Sequence, residues 1–157
     1  MRRIYLGVLT VLLSLSVASA KDEDGEKLYK RCAACHLSSG AGVPGAYPPI
    51  HERLGPLAQS DAGRDYLVWV VQAGLAGPMT VGGIAYRGMM PAQGPALKAG
   101  GIASVLNYVM EELNGLKNSP DWTPFTPQEV KTILDKKPRL RAHEVMKRRP
   151  EALREKD

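Results

Sequence analysis

Cysteine and aromatic residues are scarce in this sequence of 157 residues. It has two cysteines, and only 6% of its residues are aromatic, with a single phenylalanine. Two cysteines exclude a four-cysteine zinc site. The 44% apolar and 24% charged content is otherwise that of a globular protein with room for one domain. So few aromatic side chains indicate that something other than side chains fills part of the core.

The apolar run near the start is too short for a permanent transmembrane helix. It covers residues 4–17, about 14 residues, whereas a spanning helix needs about 20. Arg2 and Arg3 precede it, and the small residues at 18–20 are typical of a signal peptidase site. No cysteine stands there to carry a lipid. We therefore predict a signal peptide over 1–20 and a periplasmic mature chain; an uncleaved membrane anchor is the alternative.

Most of the mature chain lacks an excess of positive charge. Residues 21–130 hold nine basic and eleven acidic residues, whereas residues 131–157 hold ten basic and five acidic residues. A mildly acidic domain argues against a nucleic-acid-binding surface. The basic end is compatible with docking on an acidic partner or on a membrane surface. It is equally compatible with a solvated helical tail.

Acidic residues at its start and basic residues at its end predict a first helix at 22–34. Hydrophobic periodicity predicts two more helices, at 61–73 and 102–113. Between them lie segments rich in glycine and proline, at 38–56 and 74–100, which we predict to be loops. The sequence shows no internal repeat. These features predict an all-α fold.

After residue 114 the helical pattern becomes short and interrupted. Thr126, Pro127 and Glu129 form a typical helix start, with a capping residue, a proline in the first turn and an acid three positions after the cap. Pro138 and Pro150 then interrupt the helical pattern towards the end of the chain. We interpret 119–157 as a basic appendage without a second core.

The most specific motif is Cys32-Ala33-Ala34-Cys35-His36. On a helix, cysteines three positions apart lie on one face, so both sulfurs can reach one planar group. The adjacent histidine is then held against the centre of that group. This spacing allows two thioether bonds to a haem while the imidazole of His36 takes one axial position on the iron.

Three other interpretations of the motif are weaker. A dithiol redox site uses the same spacing, but the surrounding strand-and-helix pattern is missing. A zinc site would need further ligands that the cysteine count does not supply. A disulfide suits an oxidising compartment but leaves His36 unexplained. We therefore predict one covalently attached haem c.

A haem held by His36 needs a second axial ligand or an open position. Met89 and Met90 lie late in a glycine-rich segment, where a thioether can fold back over the haem. Pro91 biases Met90 towards an extended conformation, but the residues alone favour neither methionine. Weaker candidates are Met110 in the third predicted helix, His51 and Met79 in the predicted loops, and His143 in the basic tail.

Residues 25–113 resemble the monohaem class I cytochromes c, especially the small cytochrome subunits of periplasmic dehydrogenases and oxidases. The matching features arrive in the family's order: Gly25 and Tyr29, the motif at 32–36, Tyr47-Pro48-Pro49-Ile50, the segment 88–92, and Val105-Leu106-Asn107-Tyr108-Val109.

The resemblance implies a small cytochrome c fold, with about three core helices and long loops wrapped around one haem. It implies that the first and third helices cross near Gly25 and Tyr108. In this family the axial methionine directly precedes the proline, which selects Met90 over Met89. The expected division is a signal peptide (1–20), a cytochrome c domain (21–117) and a basic C-terminal extension (118–157).

Iron ligated by both His36 and Met90 would have no open position for a substrate. We therefore expect a carrier of single electrons, taking them from a dehydrogenase and passing them towards an oxidase or another cytochrome. Tyr47 and Arg53 are candidate partners of the haem propionates, although a plain loop tyrosine and surface arginine fit equally well. The alternative function is a peroxidase-like haem enzyme or gas sensor in which Met90 leaves the iron easily.

Overall fold

The computed structural model describes residues 24–136 and 138–154, and it is a helix-rich chain with two short antiparallel strand pairs. The predicted signal peptide lies outside the described residues. Among the residues that are described, no helix is both long and apolar enough to span a membrane.

In the part of the chain that the structure describes, the regular structure consists of six α-helices, a 3₁₀-helix, a π-helix and four strands. They are α1 (Gly25–His36), a 3₁₀-helix (Gly55–Gln59), α2 (Asp61–Ala73), β1 (Leu75–Ala76), β2 (Met79–Val81), β3 (Ile84–Tyr86), β4 (Met89–Met90), α3 (Gly94–Tyr108), a π-helix (Val109–Leu113), α4 (Pro127–Asp135), α5 (Ala142–Lys147) and α6 (Glu151–Arg154).

Helix α1 begins later and ends later than the predicted range of 22–34. Asp24 has an extended backbone and caps the helix, because its carboxylate accepts the backbone N–H groups of Glu26 and Lys27 at 3.1 and 3.3 Å. The helix ends where Leu37 takes a left-handed conformation, with φ of 63°. His36 therefore belongs to the last turn of the same helix as the two cysteines.

Helices α1 and α3 cross at Gly25, as the resemblance implied. A Cβ atom at Gly25 would collide with the carbonyl oxygen of Ser104 and would lie 3.0 Å from the Cβ atom of Tyr108. One turn later, the rings of Tyr29 and Tyr108 are in tilted contact, with centroids 5.1 Å apart and an angle of 38° between their planes. Glycine is needed here because only a residue without a side chain allows the two backbones to approach so closely.

The expectation that 74–100 is a loop is wrong in two respects. Strand β1 pairs with β4, and β2 pairs with β3, both antiparallel. Helix α3 then begins at Gly94, earlier than the predicted start at 102, and kinks at Lys98. Strands of two or three residues are too short to show alternation, and the glycines of α3 hide its first turns from a periodicity analysis.

The extension was expected to be an appendage, but it contributes to the same hydrophobic core as the first three helices. Helix α4 packs on α3, and α5 packs on α2 and β1. Its apolar side chains are as deeply buried as those of the first three helices: Phe125, Val130, Ile133, Leu140, Val145 and Leu153. Prolines divide these residues into short groups, so the sequence shows no continuous apolar face.

Arg64 on α2 ties the extension to the rest of the fold. Its guanidinium donates to both carboxylate oxygens of Glu129, at 2.6 and 2.8 Å, and to the carbonyl of Thr123 at 3.0 Å. It also lies over the ring of Phe125, 3.8 Å from the centroid. This two-point ion pair fixes the start of α4 against α2.

Candidate functional site

A largely apolar cavity lies between α1, the loop at 46–54, α2, the strands and α3. All of the residues that the sequence predicts for the site line this cavity, together with one of the weaker candidates: Cys32, Cys35, His36, Tyr47, Arg53, Met89, Met90 and Met79.

The last turn of α1 presents the motif to the cavity. Cys32 and Cys35 are half-buried free thiols on the same helical face, and both line the cavity. Burial raises the pKa of the Cys32 thiol, while the nearby Arg31 acts in the opposite direction. Two sulfurs and an imidazole from one helical turn therefore face the same space.

His36 is oriented as a ligand. Only 8% of it is exposed, and its Nδ1 lies 2.9 Å from the carbonyl oxygen of Pro48. A carbonyl can only accept, so Nδ1 carries the proton and Nε2 keeps its lone pair for a metal. Burial lowers the pKa of His36, with the hydrogen bond to Pro48 opposing it, which favours the neutral imidazole that binds metals.

The Pro48 carbonyl is placed by a tight turn in front of it. Val43 and Tyr47 form an isolated antiparallel bridge, with the two N–H···O distances both at 2.8 Å. Gly42 has φ of 66°, and a Cβ atom there would lie 2.7 Å from the Pro48 carbonyl oxygen. This glycine lets the loop fold back close enough for Pro48 to accept from His36.

Three methionines line the cavity, and they differ in exposure. Met90 pairs with Leu75 in the β1–β4 ladder and is half-buried, whereas its neighbour Met89 is 70% exposed. Adjacent residues in a strand point to opposite faces, which accounts for the difference. Met79 on β2 is also half-buried. Met90 and Met79 are therefore both more protected from solvent than Met89.

The other ligand candidates lie elsewhere. Met110, on the π-helix, is fully buried in the core and does not line the cavity. His51 lies with its Nδ1 3.8 Å from a carboxylate oxygen of Glu52. His143 is exposed on α5.

Asn114 holds the cavity loop in place, and the sequence analysis did not single it out. Its Oδ1 accepts the backbone N–H groups of Arg53 and Leu54 at 2.9 and 2.8 Å. Its Nδ2 donates to the carbonyls of Ile50 and Val109 at 3.0 and 2.9 Å. One asparagine thus joins the loop that carries Arg53 to the end of the π-helix. An asparagine after a helix is common, so the sequence gives no signal for this role.

The extension also supplies cavity residues that sequence reasoning missed. Arg149, between α5 and α6, is only 8% exposed and lines the cavity, as does Leu153 on α6. Tyr66 on α2 joins them. In the sequence Arg149 stands beside Lys147 and Arg148, so it looks like one more solvated base.

The cavity suits a flat apolar group that carries a metal and acidic substituents. Its wall is mainly apolar, and the polar residues that line it include His36 with its metal-binding imidazole, methionines with thioether sulfurs, and the cationic Arg53 and Arg149. A haem c has a ring, an iron, two vinyl-derived positions for cysteines and two propionates that match these groups. Within 24–136 and 138–154, no cluster of His, Cys, Asp or Glu forms a separate metal site.

Comparison with known proteins also points to a protein that binds haem c. The family model described as cytochrome c oxidase, cbb3-type, subunit III matches residues 20–109. A cytochrome c-552 of Thermus thermophilus is 37% identical over 137 residues, which cover 87% of this chain and 89% of the relative. A second cytochrome c-552 from Thermus thermophilus is 39% identical over 114 residues, covering 73% of this chain and 86% of the relative.

The family model matches more than half of the chain. The alignment with the first cytochrome c-552 is longer and covers 87% of the chain. Members of the family carry haem c covalently and transfer electrons. The chain therefore belongs to the cytochrome c family, as a monohaem class I cytochrome c with one covalently bound haem c.

Proposed function

We propose that this cytochrome is a periplasmic carrier of single electrons whose iron is ligated by His36 and Met90. Cys32 and Cys35 form the two thioether bonds. The protein accepts electrons from a dehydrogenase and passes them towards an oxidase or another cytochrome.

The observation that carries this proposal is the setting of His36 in a cavity that Met90 also lines. His36 is buried, and its Nδ1 is committed to Pro48, so Nε2 is the nitrogen available to a metal. Met90 comes from a separate element, β4, and is more protected than Met89. Two ligands from two elements leave no axial position for a substrate, which favours electron transfer over catalysis at the iron.

Residues of the chain set the reduction potential of the haem and leave part of the haem site open to a partner. When bound, the haem supplies an iron that gains or loses one electron. The thioether of Met90 favours the reduced iron, and the apolar cavity wall, with its low dielectric, acts in the same direction. Tyr47 and Met89 are 43% and 70% exposed where they line the cavity, so this is where a partner can approach the haem.

The methionine assignment is tested by a pair of matched variants, Met90→Ala and Met89→Ala. We expect Met90→Ala to lose the weak far-red absorption band that accompanies sulfur ligation of ferric haem. Its reduction potential should fall by about 59 mV or more, a tenfold change in a one-electron equilibrium, because the ligand that favours ferrous iron is gone.

Met89→Ala is the control, because it removes the same atoms from the more exposed neighbouring position. It should keep the band and bind no carbon monoxide, whereas ferrous Met90→Ala should bind carbon monoxide. An unchanged spectrum in Met90→Ala would refute Met90 as the ligand. Loss of the band in Met89→Ala alone would assign the ligand to Met89.

The proposed location is tested by mass spectrometry of the haem-loaded protein from a periplasmic extract. Cleavage after Ala20 predicts a mature N-terminus at Lys21, together with the added mass of one haem. Recovery of the intact N-terminus in the membrane fraction would favour the uncleaved anchor instead.

A further inference from the structure

We propose that Arg149 binds a haem propionate, so that the C-terminal extension completes the haem site. The inference rests on the proposed placement of the haem in the cavity beside His36. It gives the extension a role in setting the electronic properties of the haem, in addition to packing.

The position of Arg149 is fixed by the structure around it. Its Nη2 donates to the carbonyl of Leu153 at 2.9 Å and to the carbonyl of Thr80 at 3.2 Å. The residue is 8% exposed and lines the cavity. These two hydrogen bonds help to orient the guanidinium in the cavity wall.

A second arginine reaches the same part of the cavity. Burial raises the pKa of Tyr66 to about 12, while the charges of Arg149, Arg53 and Arg154 act against this rise. Arg53 and Arg149 are far apart in sequence, yet both line the cavity beside Tyr66.

Cations on an apolar wall favour an anionic ligand in the cavity. A guanidinium binds a carboxylate through short charge-assisted hydrogen bonds, which are stronger where water is excluded. The haem supplies carboxylates as its propionates. The ring and its acidic substituents therefore account for both the apolar surface of this cavity and the arginines set into it.

The segment that carries Arg149 is held against the strands of the site. Helix α5 packs on β1, and β1 pairs with β4, which carries Met90. Met146 lies so close that its Cγ would be 3.2 Å from a Cβ atom at Gly77. The hydrogen bond from Arg149 to Thr80 adds a link to β2. Arg149 is thus fixed relative to the cavity wall.

The test is the reduction potential of three variants of the haem-loaded protein. Arg149→Gln removes a positive charge near the haem, which disfavours the electron-rich ferrous state. We expect the reduction equilibrium constant to fall about tenfold, equal to about 59 mV for one electron. Arg149→Lys keeps the charge and should recover most of the potential. Arg148→Gln, the same change at an exposed adjacent position, should leave the potential unchanged.

A wild-type potential in Arg149→Gln would overturn the inference, and so would an equal loss in Arg148→Gln. The spectrum separates this failure from failure of the proposed function. A haem-loaded Arg149→Gln protein with the wild-type far-red band but an unchanged potential refutes only the role of Arg149. Absence of that band in the wild type would instead refute the His36–Met90 site.

A measurement on the wild-type protein covers the case in which Arg149→Gln does not fold. In the ferrous protein, nuclear Overhauser contacts are expected between a propionate methylene group and the Arg149 side chain. They are assigned by their loss in Arg149→Lys. Propionate contacts with Arg53 but none with Arg149 would overturn the inference.

Discussion

At the scale of single residues, the side chain that most clearly supports the cavity loop is Asn114, at the end of the π-helix. It makes four hydrogen bonds, two as acceptor and two as donor, and it joins backbone groups about 60 residues apart in sequence. The Asn114 side chain supplies hydrogen bonds to the loop backbone that regular secondary structure would otherwise supply. The geometry of Arg53 at the cavity therefore depends on a residue that does not touch the haem site.

Asn114→Ala should lower the free energy of unfolding by about 2–4 kcal/mol, because it leaves several part-buried backbone groups without their partners. The measurement is urea denaturation of the haem-loaded protein. Asn118→Ala, an exposed asparagine four residues later, is the control and should change stability by less than about 0.5 kcal/mol. Equal effects of the two substitutions would contradict the role of Asn114.

At the scale of elements, the crossing of α1 and α3 fixes the helix that carries the haem-binding motif. Gly25→Ala should lower the free energy of unfolding by about 1–3 kcal/mol, because the added methyl group collides with the backbone of α3 at Ser104. Gly100→Ala is the matched control within α3, since a Cβ atom there meets nothing within 4 Å. It should be neutral, or stabilise by up to about 1 kcal/mol through higher helix propensity. A stabilising Gly25→Ala would contradict the close crossing.

The contact between α2 and α4 gives a prediction that depends on pH. Hydrogen bonds from Arg64 are the main reason that the pKa of Glu129 lies below its ordinary value. This contribution to stability is therefore present above the ordinary glutamate pKa of about 4.3 and is lost as the pH falls through the lower, folded-state value.

Glu129→Gln should consequently cost about 1.5–3 kcal/mol in the free energy of unfolding at pH 7, and less as the pH falls below about 4. Chemical denaturation across this pH range measures the difference. Glu112→Gln removes an exposed ion pair with Lys117 and should cost under about 1 kcal/mol. A Glu129→Gln cost that stays constant down to low pH would rule out the ion pair as its cause.

These elements also show which features a sequence can reveal. The range of 61–73 predicted for the second helix is confirmed. The sequence reveals this helix because its apolar residues repeat at helical spacing and its ends carry a capping serine and a glycine. The start of α3 was missed because glycines and a kink at Lys98 interrupt the pattern. The strands β1 to β4 form by pairing between residues up to about fifteen positions apart. The sequence of a strand of two or three residues does not show which segment it pairs with.

At the scale of the whole molecule, the site combines one local motif with several distant contributions. Cys32, Cys35 and His36 lie within a single helical turn, so their spacing was enough to predict covalent haem. The acceptor for His36 comes from the loop at Pro48, and Arg149 comes from the other end of the chain. Such long-range contacts form only when the core closes, which is why the sequence pattern gave no sign of Arg149.

An iron with both axial positions filled should exchange single electrons without binding an added ligand. The most direct measurement is an equilibrium redox titration of the haem-loaded protein, followed by absorbance with and without carbon monoxide. We predict one reversible one-electron wave whose midpoint carbon monoxide does not shift. Rapid carbon monoxide binding by the ferrous protein, with a raised midpoint, would show that the iron has an open axial position. That result would contradict His36–Met90 ligation and favour an enzyme or a gas sensor.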